Sequence, residues 1–247
     1  MYALKIENLY KSFRVRKRTV EAVKGVSLEV GENETVGLLG MNGAGKSTTI
    51  KICSGLIPPD GGTVTVFDMD IVKQSEQAKS LINVSPQETA VAPMLSVREN
   101  LLLVSELYGM NKQDAATAAN AMIERLKLGE RANDRAGKLS GGLMRRLSIG
   151  MALITNPRLV FLDEPTLGLD VVARRELWKY IGEIKKTTAI VLTTHYLEEA
   201  EALCDRIAIM SHGEIAAVGT AAELTERAGE EKFEDAFLKL SGECANE

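Results

Sequence analysis

The chain is poor in the residues that staple or metallate small proteins. Its three cysteines, Cys53, Cys204 and Cys244, stand far apart, and its two histidines, His195 and His212, form no pair. Without a CxxC or clustered imidazoles, neither a disulfide framework nor a zinc site is supported, and a reducing cytosol is the expected setting. No apolar run approaches the roughly 18 residues needed to cross a bilayer, and the first residues lack the apolar segment of a secretory signal. Any task at a membrane therefore calls for another polypeptide to supply the span. An excess of positive charge is missing too: the net charge of −4 gives no broad positive field, so no nucleic-acid partner is expected. One basic cluster, Arg14, Arg16, Lys17 and Arg18, runs against this balance. It reads as a solvated loop or hairpin, with a phosphate or lipid contact as the alternative. Repeats, low-complexity tracts and long linkers are also absent, and 247 residues can bury a full α/β core as one domain with a subdomain.

What is present begins with GMNGAGKST at residues 40–48, directly after the strand-like run ETVGLL and directly before a helix-like run. Gly40, Gly43 and Gly45 permit a loop in which successive backbone N–H groups, including those of Asn42, Ala44 and Thr48, face one anion. The start of the next helix adds its partial positive charge. Lys46 suits the β- and γ-phosphates of a nucleotide, and the Ser47 hydroxyl suits one position of an octahedral Mg²⁺.

Periodicity divides the chain. From residue 2 to 66 the alternating runs ALKI, VKGVSLEV and TVTV read as strands broken by the turn PPDGG. From 96 to 154 the pattern is helical. SVRE at 96–99 is a capping box opening a leucine-rich helix to Gly109; an alanine-rich helix spans about 114–128, and a third follows Ser140. Thereafter LVFL at 159–162, a helix over 171–186 and AIVLT at 189–193 predict central parallel strands joined by right-handed crossovers. Two short runs at 206–210 and 214–218 read as a terminal hairpin or edge pair, and an amphipathic tail ends near Leu240.

Two further motifs refine the P-loop. Asp163 and Glu164 end an apolar strand, where Asp163 can hold Mg²⁺ and Glu164 can polarise an attacking water. Ser140-Gly141-Gly142 opens a helix with free N–H groups, a hydroxyl and no obstructing side chains, which suits a second phosphate. The chain's own P-loop already wraps its phosphates, so this second anion site invites a second protomer.

Together with GLD at 168–170 and TTH at 193–195, these motifs occur in an order and spacing that resemble the nucleotide-binding subunit of an ABC transporter over essentially the whole chain. The resemblance implies an α/β P-loop NTPase with a RecA-like core, an N-terminal antiparallel β subdomain and an inserted α-helical signature subdomain. It places the ATP-binding domain at 1–228, with core and β subdomain at 1–87 and 156–228, the helical subdomain at 88–155, and a helical tail at 229–247. It further implies that Gln87 reaches metal and water, that Phe13 stacks on adenine, that His195 contacts the γ-phosphate and that Asp170 lies at a dimer seam. Phe13 could equally belong to a core. ATP and Mg²⁺ are the implied ligands. A homodimer or heterodimer of ATPase subunits, an integral-membrane permease and a peripheral place on the cytoplasmic face of the cell membrane are the implied setting.

Within that family the stretch 85–93, LSVREN and the segment from GLD to Trp178 look like the ATPases paired with exporter-type permeases. Two positions depart from the common pattern: Leu143 stands where glutamine is commonest and Met151 where many members carry arginine. The expected consequence is weaker polar contact with a partner, not loss of chemistry. Asn111-Lys112-Gln113-Asp114 spells the guanine-selecting N-K-x-D of GTPases, yet it sits between two helices and reads better as a turn with an N-cap. The apolar loop after Gln87, residues 88 to 95, is expected to receive a permease helix or to fold back on the helical subdomain. A soluble ABC-type ATPase acting on a non-transport partner is the competing class. Only about ninety residues, without sustained heptads, separate the P-loop from Ser140, which argues against its coiled-coil members.

Overall fold

The computed structural model describes residues 1–15 and 18–242. Arg16 and Lys17 of the basic cluster, Cys244 and the end of the expected tail lie outside the described residues. In chain order the elements are β1 (Tyr2–Val15), β2 (Arg18–Gly31), β3 (Thr35–Leu39), α1 (Lys46–Cys53), β4 (Gly61–Val66), β5 (Met69–Asp70), α2 (Ser75–Ser80) and β6 (Ile82–Ser85). Next come α3 (Val97–Leu107), α4 (Lys112–Arg125), α5 (Gly141–Leu153), β7 (Leu159–Asp163), α6 (Val171–Ile184), β8 (Ala189–Thr194) and α7 (Leu197–Leu203). The last are β9 (Arg206–Ser211), β10 (Glu214–Gly219), α8 (Ala221–Ala228) and α9 (Phe233–Ser241).

Two sheets organise the molecule. One is antiparallel, in the order β2-β1-β4-β5; the other runs β10-β9-β3-β8-β7-β6. In the second sheet β9, β3, β8, β7 and β6 are parallel, and only β10 turns back on β9. Every residue of β3, β7 and β8 is buried, as strands covered on both faces require. Successive side chains point to opposite faces. Phe161 and Val191 therefore join a core shared with the antiparallel sheet, whereas Val160, Leu162, Ile190 and Leu192 join a second core beneath the helices α3 to α6. Each such buried Leu, Val or Phe contributes about 1.5–3 kcal/mol relative to exposure.

The expected strands, helices and crossovers are present, with three differences. The β1–β2 hairpin runs much further than its alternating segments, to Val15 and Arg18, because backbone pairing carries it past polar residues. β9 and β10 form the expected hairpin at one edge of the central sheet, which β9 joins by pairing in parallel with β3. The alanine-rich helix starts earlier and ends earlier than read, at Lys112 and Arg125, since the Asn111 side chain accepts from the N–H groups of Gln113 and Asp114. The tail helix α9 is docked through Phe233 and Phe237 onto Leu39, Ile207 and Ile209. The capping box is formed as read, with Ser96 and Glu99 each satisfying the other's backbone donor.

The apolar loop after Gln87 is largely held in place. The Asn100 amide accepts from Ala92 N–H and donates to the Ala92 carbonyl, Pro93 O accepts from Gly137 N–H, and Val91 packs on the helical core. Glu88, Ala90, Pro93 and Met94 face outward, Met94 above all at 68% exposure.

Candidate functional site

The carboxyl ends of β3, β6, β7 and β8 meet along one edge of the parallel sheet, where open α/β folds bind their ligands. β3 delivers the P-loop, β6 leads to Gln87, β7 ends in Asp163 followed by Glu164, and β8 ends one residue before His195. A cavity of about 570 Å³ lies there, lined by Phe13, Ala22, the loop 42–48, Gln87, Glu164, Leu167 and His195.

The P-loop conformation depends on Gly45, whose φ is +103° and whose added Cβ would stand 2.4 Å from the Ala22 carbonyl oxygen. No side chain fits that position. Lys46, the first residue of α1, is buried and donates through Nζ to Gly40 O at 2.7 Å and Met41 O at 3.2 Å. Its ammonium also lies 3.4 Å from Glu164 Oε1. On the next position of α1, Ser47 Oγ donates to Asp163 Oδ1 at 2.9 Å, and the same carboxylate oxygen accepts from Thr193 Oγ1 at 2.6 Å.

Glu164 is buried and sits at φ +47°, in the left-handed region. For a residue with a Cβ this costs on the order of 1–3 kcal/mol, and such strain gathers at working residues. It is held from three sides. Glu164 N–H donates to Thr193 Oγ1 at 2.9 Å, its carbonyl accepts from Arg145 and Leu167 N–H, and its carboxylate meets His195 Nδ1 at 2.8 Å. The carboxylate thus stands between a lysine and a histidine at the cavity wall. The donor set of Ser47 hydroxyl, Asp163 carboxylate and the nearby Gln87 amide is all oxygen-donating and hard, which fits Mg²⁺ and not a softer metal.

The structure gathers Phe13, Asn42, Gly43, Ala44, Gly45, Lys46, Ser47, Thr48, Gln87, Glu164 and His195 around the cavity, with Asp163 beneath Ser47 and Gly40 at the loop entrance. Phe13 is on the β1–β2 hairpin, 38% exposed, and not part of a core. Ser140, Gly141, Gly142 and Asp170 do not line the cavity. Ser140 caps α5, accepting from Leu143 N–H at 3.4 Å, and Asp170 caps α6, accepting from Ala173 N–H at 2.9 Å.

Three residues escaped the sequence reading. Thr193 joins Asp163 to Glu164. Glu199, on α7, is fully buried, accepts from Trp178 Nε1 at 3.3 Å, and burial raises its carboxyl above the ordinary range. Arg145 is buried within the apolar part of α5 and donates to five backbone carbonyls. An arginine pair, Arg145-Arg146, beside the apolar run LSIGMAL was the available signal for the last; none marked Glu199 among the other acids of α7.

A strained acid at a strand end, a buried lysine in a glycine loop and a Ser–Asp pair define a P-loop nucleotide hydrolase. Comparison with known proteins then gives the family. The family model described as ABC transporter matches residues 23–167. The chain is 40% identical over 245 residues to the linearmycin resistance ATP-binding protein LnrL of Bacillus subtilis, covering 99% of this chain and 76% of that protein. It is 42% identical over 215 residues to the doxorubicin resistance ATP-binding protein DrrA of Mycobacterium tuberculosis, covering 87% of this chain and 65% of that one. Among solved structures, an ATP-binding subunit of an ABC transporter superposes with a TM-score of 0.82 at 28% identity, covering 97% of this chain and 99% of that one. The chain belongs to the ABC transporter family. It is an ATP-binding, ATP-hydrolysing subunit with the α/β P-loop fold of that family, and its hydrolysis powers transport through a membrane partner.

Proposed function

We propose that this subunit drives export through a separate integral-membrane permease, working at the cytoplasmic face of the membrane as one of a pair of ATPase subunits. The relatives named for antibiotic and drug resistance support the direction. No helix among the described residues is long and apolar enough to cross a membrane, so the pathway belongs to the partner. Met94, in the loop before α3, and Leu103 and Leu107, four residues apart and so on one face of α3, are exposed, apolar groups suited to contact with a short permease helix.

The observation that carries the chemistry is the convergence of Lys46, Glu164, His195 and Gln87 on one cavity wall. The backbone N–H groups of the P-loop and Lys46 hold the phosphates, and Phe13 offers its ring to the base. Ser47, Asp163 and Gln87 would hold Mg²⁺, which when bound neutralises phosphate charge. Glu164 accepts the proton of the attacking water, and His195 orients its carboxylate while presenting the ring to the γ-phosphate.

Ser140, Gly141 and Gly142 complete the partner's site, with Asp170 at the seam. The exposure of Ser140, Gly141 and Asp170, and the absence of all four from the chain's own cavity lining, support this. The test is complementation. Lys46→Ala and Ser140→Arg should each be inactive alone, while their mixture should regain activity from the one heterodimer site built by an intact Lys46 and an intact Ser140. A mixture as inactive as its components, with heterodimers shown to form, would place the whole site within one chain.

A further inference from the structure

Helix α5 starts at the exposed Ser140-Gly141-Gly142 and, one turn later, buries Arg145 between the two strand-end turns of the hydrolytic site. All five N–H donors of the guanidinium are used. Nε donates to Pro165 O at 2.9 Å, Nη1 to Pro86 O at 2.5 Å and Gln87 O at 3.0 Å, and Nη2 to Asp163 O at 2.6 Å and Glu164 O at 2.9 Å. No other side chain carries five donors in one planar fork, so no other residue could bind these carbonyls together. Burial lowers the Arg145 pKa to about 10, with the nearby Asp163 charge drawing it back, so the group is a cation at neutral pH. Two lesser links run the same way: Ser148 Oγ lies 3.2 Å from Ser85 Oγ, and Thr89 Oγ1 donates to Met144 S at 3.7 Å.

A buried cation bonded only to backbone carbonyls is a costly arrangement for packing alone; an apolar residue of similar volume would fill the space without the desolvation cost. What the fork does is fix three things in one frame: the backbone of Gln87, the strained backbone of Glu164 and the first turn of α5. We propose that Arg145 is the positioning residue of the ATPase, transmitting displacement of the Gln87 turn both to the Glu164 carboxylate and to the Ser140 helix start. Phosphate contact at Gln87 then sets, through one rigid fork, whether the water-activating carboxylate is aligned and whether the signature of the same chain is presented to a partner. Arg145 touches neither nucleotide nor water itself. The inference rests on reading Gln87 and Glu164 as hydrolytic residues.

The experiment compares Arg145→Lys and Arg145→Gln with Glu164→Gln in the full chain, each checked for folding by thermal melting. Lysine keeps the charge but has three donors on a flexible stem, so it cannot reproduce the fork. Arg145→Lys should keep KM for MgATP within about twofold and lose at least tenfold in kcat, corresponding to about 1.4 kcal/mol or more in the barrier. Arg145→Gln should lose more. A residue important for packing alone would lower the melting temperature and leave kcat unchanged well below it. Folded Arg145 variants hydrolysing at the parent rate, beside an inactive Glu164→Gln, would overturn this inference alone; a fully active Glu164→Gln would instead overturn the reading beneath it. Should the Arg145 variants fail to fold, hydrogen exchange on Ser140→Arg, which cannot seat a nucleotide across a dimer, decides the matter. MgATP should slow exchange in residues 85–89 and 144–148 together, and slowing confined to 85–89 would refute the coupling.

Discussion

Two helix starts in this chain are built from glycine and a small hydroxyl residue, and they are opposite in character. At the start of α1 the loop is concave and locked: Gly45 is left-handed against Ala22 O, and Lys46 is buried with its ammonium held by Gly40 O. At the start of α5, Ser140 and Gly141 are exposed and open, while Gly142 is half-buried against Ala173. A Cβ on Gly141 would meet nothing nearer than Leu169 Cδ2 at 3.9 Å, and its φ is not in the left-handed region. Both offer unpaired N–H groups and a helix dipole. The first is shaped to enclose a phosphate with one chain; on the reading proposed above, the second presses on a phosphate that a partner holds. The same local chemistry therefore makes a container in one place and a lid in the other, and the surrounding packing decides which.

The largest expected effect separates hydrolysis from both helix starts. Glu164→Gln keeps the side-chain volume and the left-handed backbone but loses the base, so the ATPase rate should fall by roughly 10²- to 10⁴-fold. With both anion sites intact, ATP should then hold the protein as a dimer, seen as a shift in size-exclusion elution. Parent-level hydrolysis would remove Glu164 from the chemistry. Hydrolysis lost with no dimer formed would show that the open helix start does not engage a partner's nucleotide.

A smaller pair of changes tests the comparison directly. Gly45→Ala places a Cβ against backbone in a strained conformation and should cost about 1–3 kcal/mol, a drop in melting temperature of several degrees, together with loss of nucleotide binding. Gly141→Ala has room and should raise helix stability by roughly 0.5–1 kcal/mol. Its ATP affinity as a monomer should be unchanged, while turnover falls because the added methyl stands on the open face. If Gly141→Ala turns over normally, the face makes no close contact with phosphate.

The container was legible because its signals are local. Gly40, Gly45, Lys46 and Ser47 are adjacent in sequence, and the strand before and helix after them are each written in periodic apolar residues. The pairing of Ser47 with Asp163 was readable as two halves of one function, though 116 positions part them. What the sequence did not show were residues whose role comes from tertiary placement. Arg145 looks like one of two neighbouring charges on α5, and only the fold brings Pro86, Gln87, Asp163, Glu164 and Pro165 around it. The length of the β1–β2 hairpin was hidden for a related reason: its ladder is held by backbone bonds, while Arg14, Val15 and Val20 stay exposed and break the alternation. Helices α2 and α7, of 6 and 7 residues, are too short for a 3.6-residue period to register.

The smallest expected effect concerns Glu199, buried on α7 away from both helix starts compared. It accepts from Trp178 of α6, the helix that begins at Asp170, and it neighbours Thr194 and Thr166, which flank His195 and Glu164 in sequence. Burial is the main cause that raises its pKa, the Glu164 charge adds to it, and the nearby Thr194 and Thr166 hydroxyls and the hydrogen bond from Trp178 offset part of the rise. A carboxyl whose pKa is higher folded than unfolded keeps its proton longer in the native state. The native protein then binds more protons than the unfolded chain between those two values, and stability falls as pH rises through that window. Glu199→Gln retains an acceptor for Trp178 and removes the titration. Its melting temperature should match or exceed that of the parent at neutral pH, and the gap should close as the pH is lowered toward the ordinary carboxylate range. Turnover should change by less than a few-fold, since Glu199 does not line the nucleotide cavity. A Glu199→Gln protein that is much less stable at neutral pH than the parent would mean that the ionised carboxylate is required there, as a buried counter-charge.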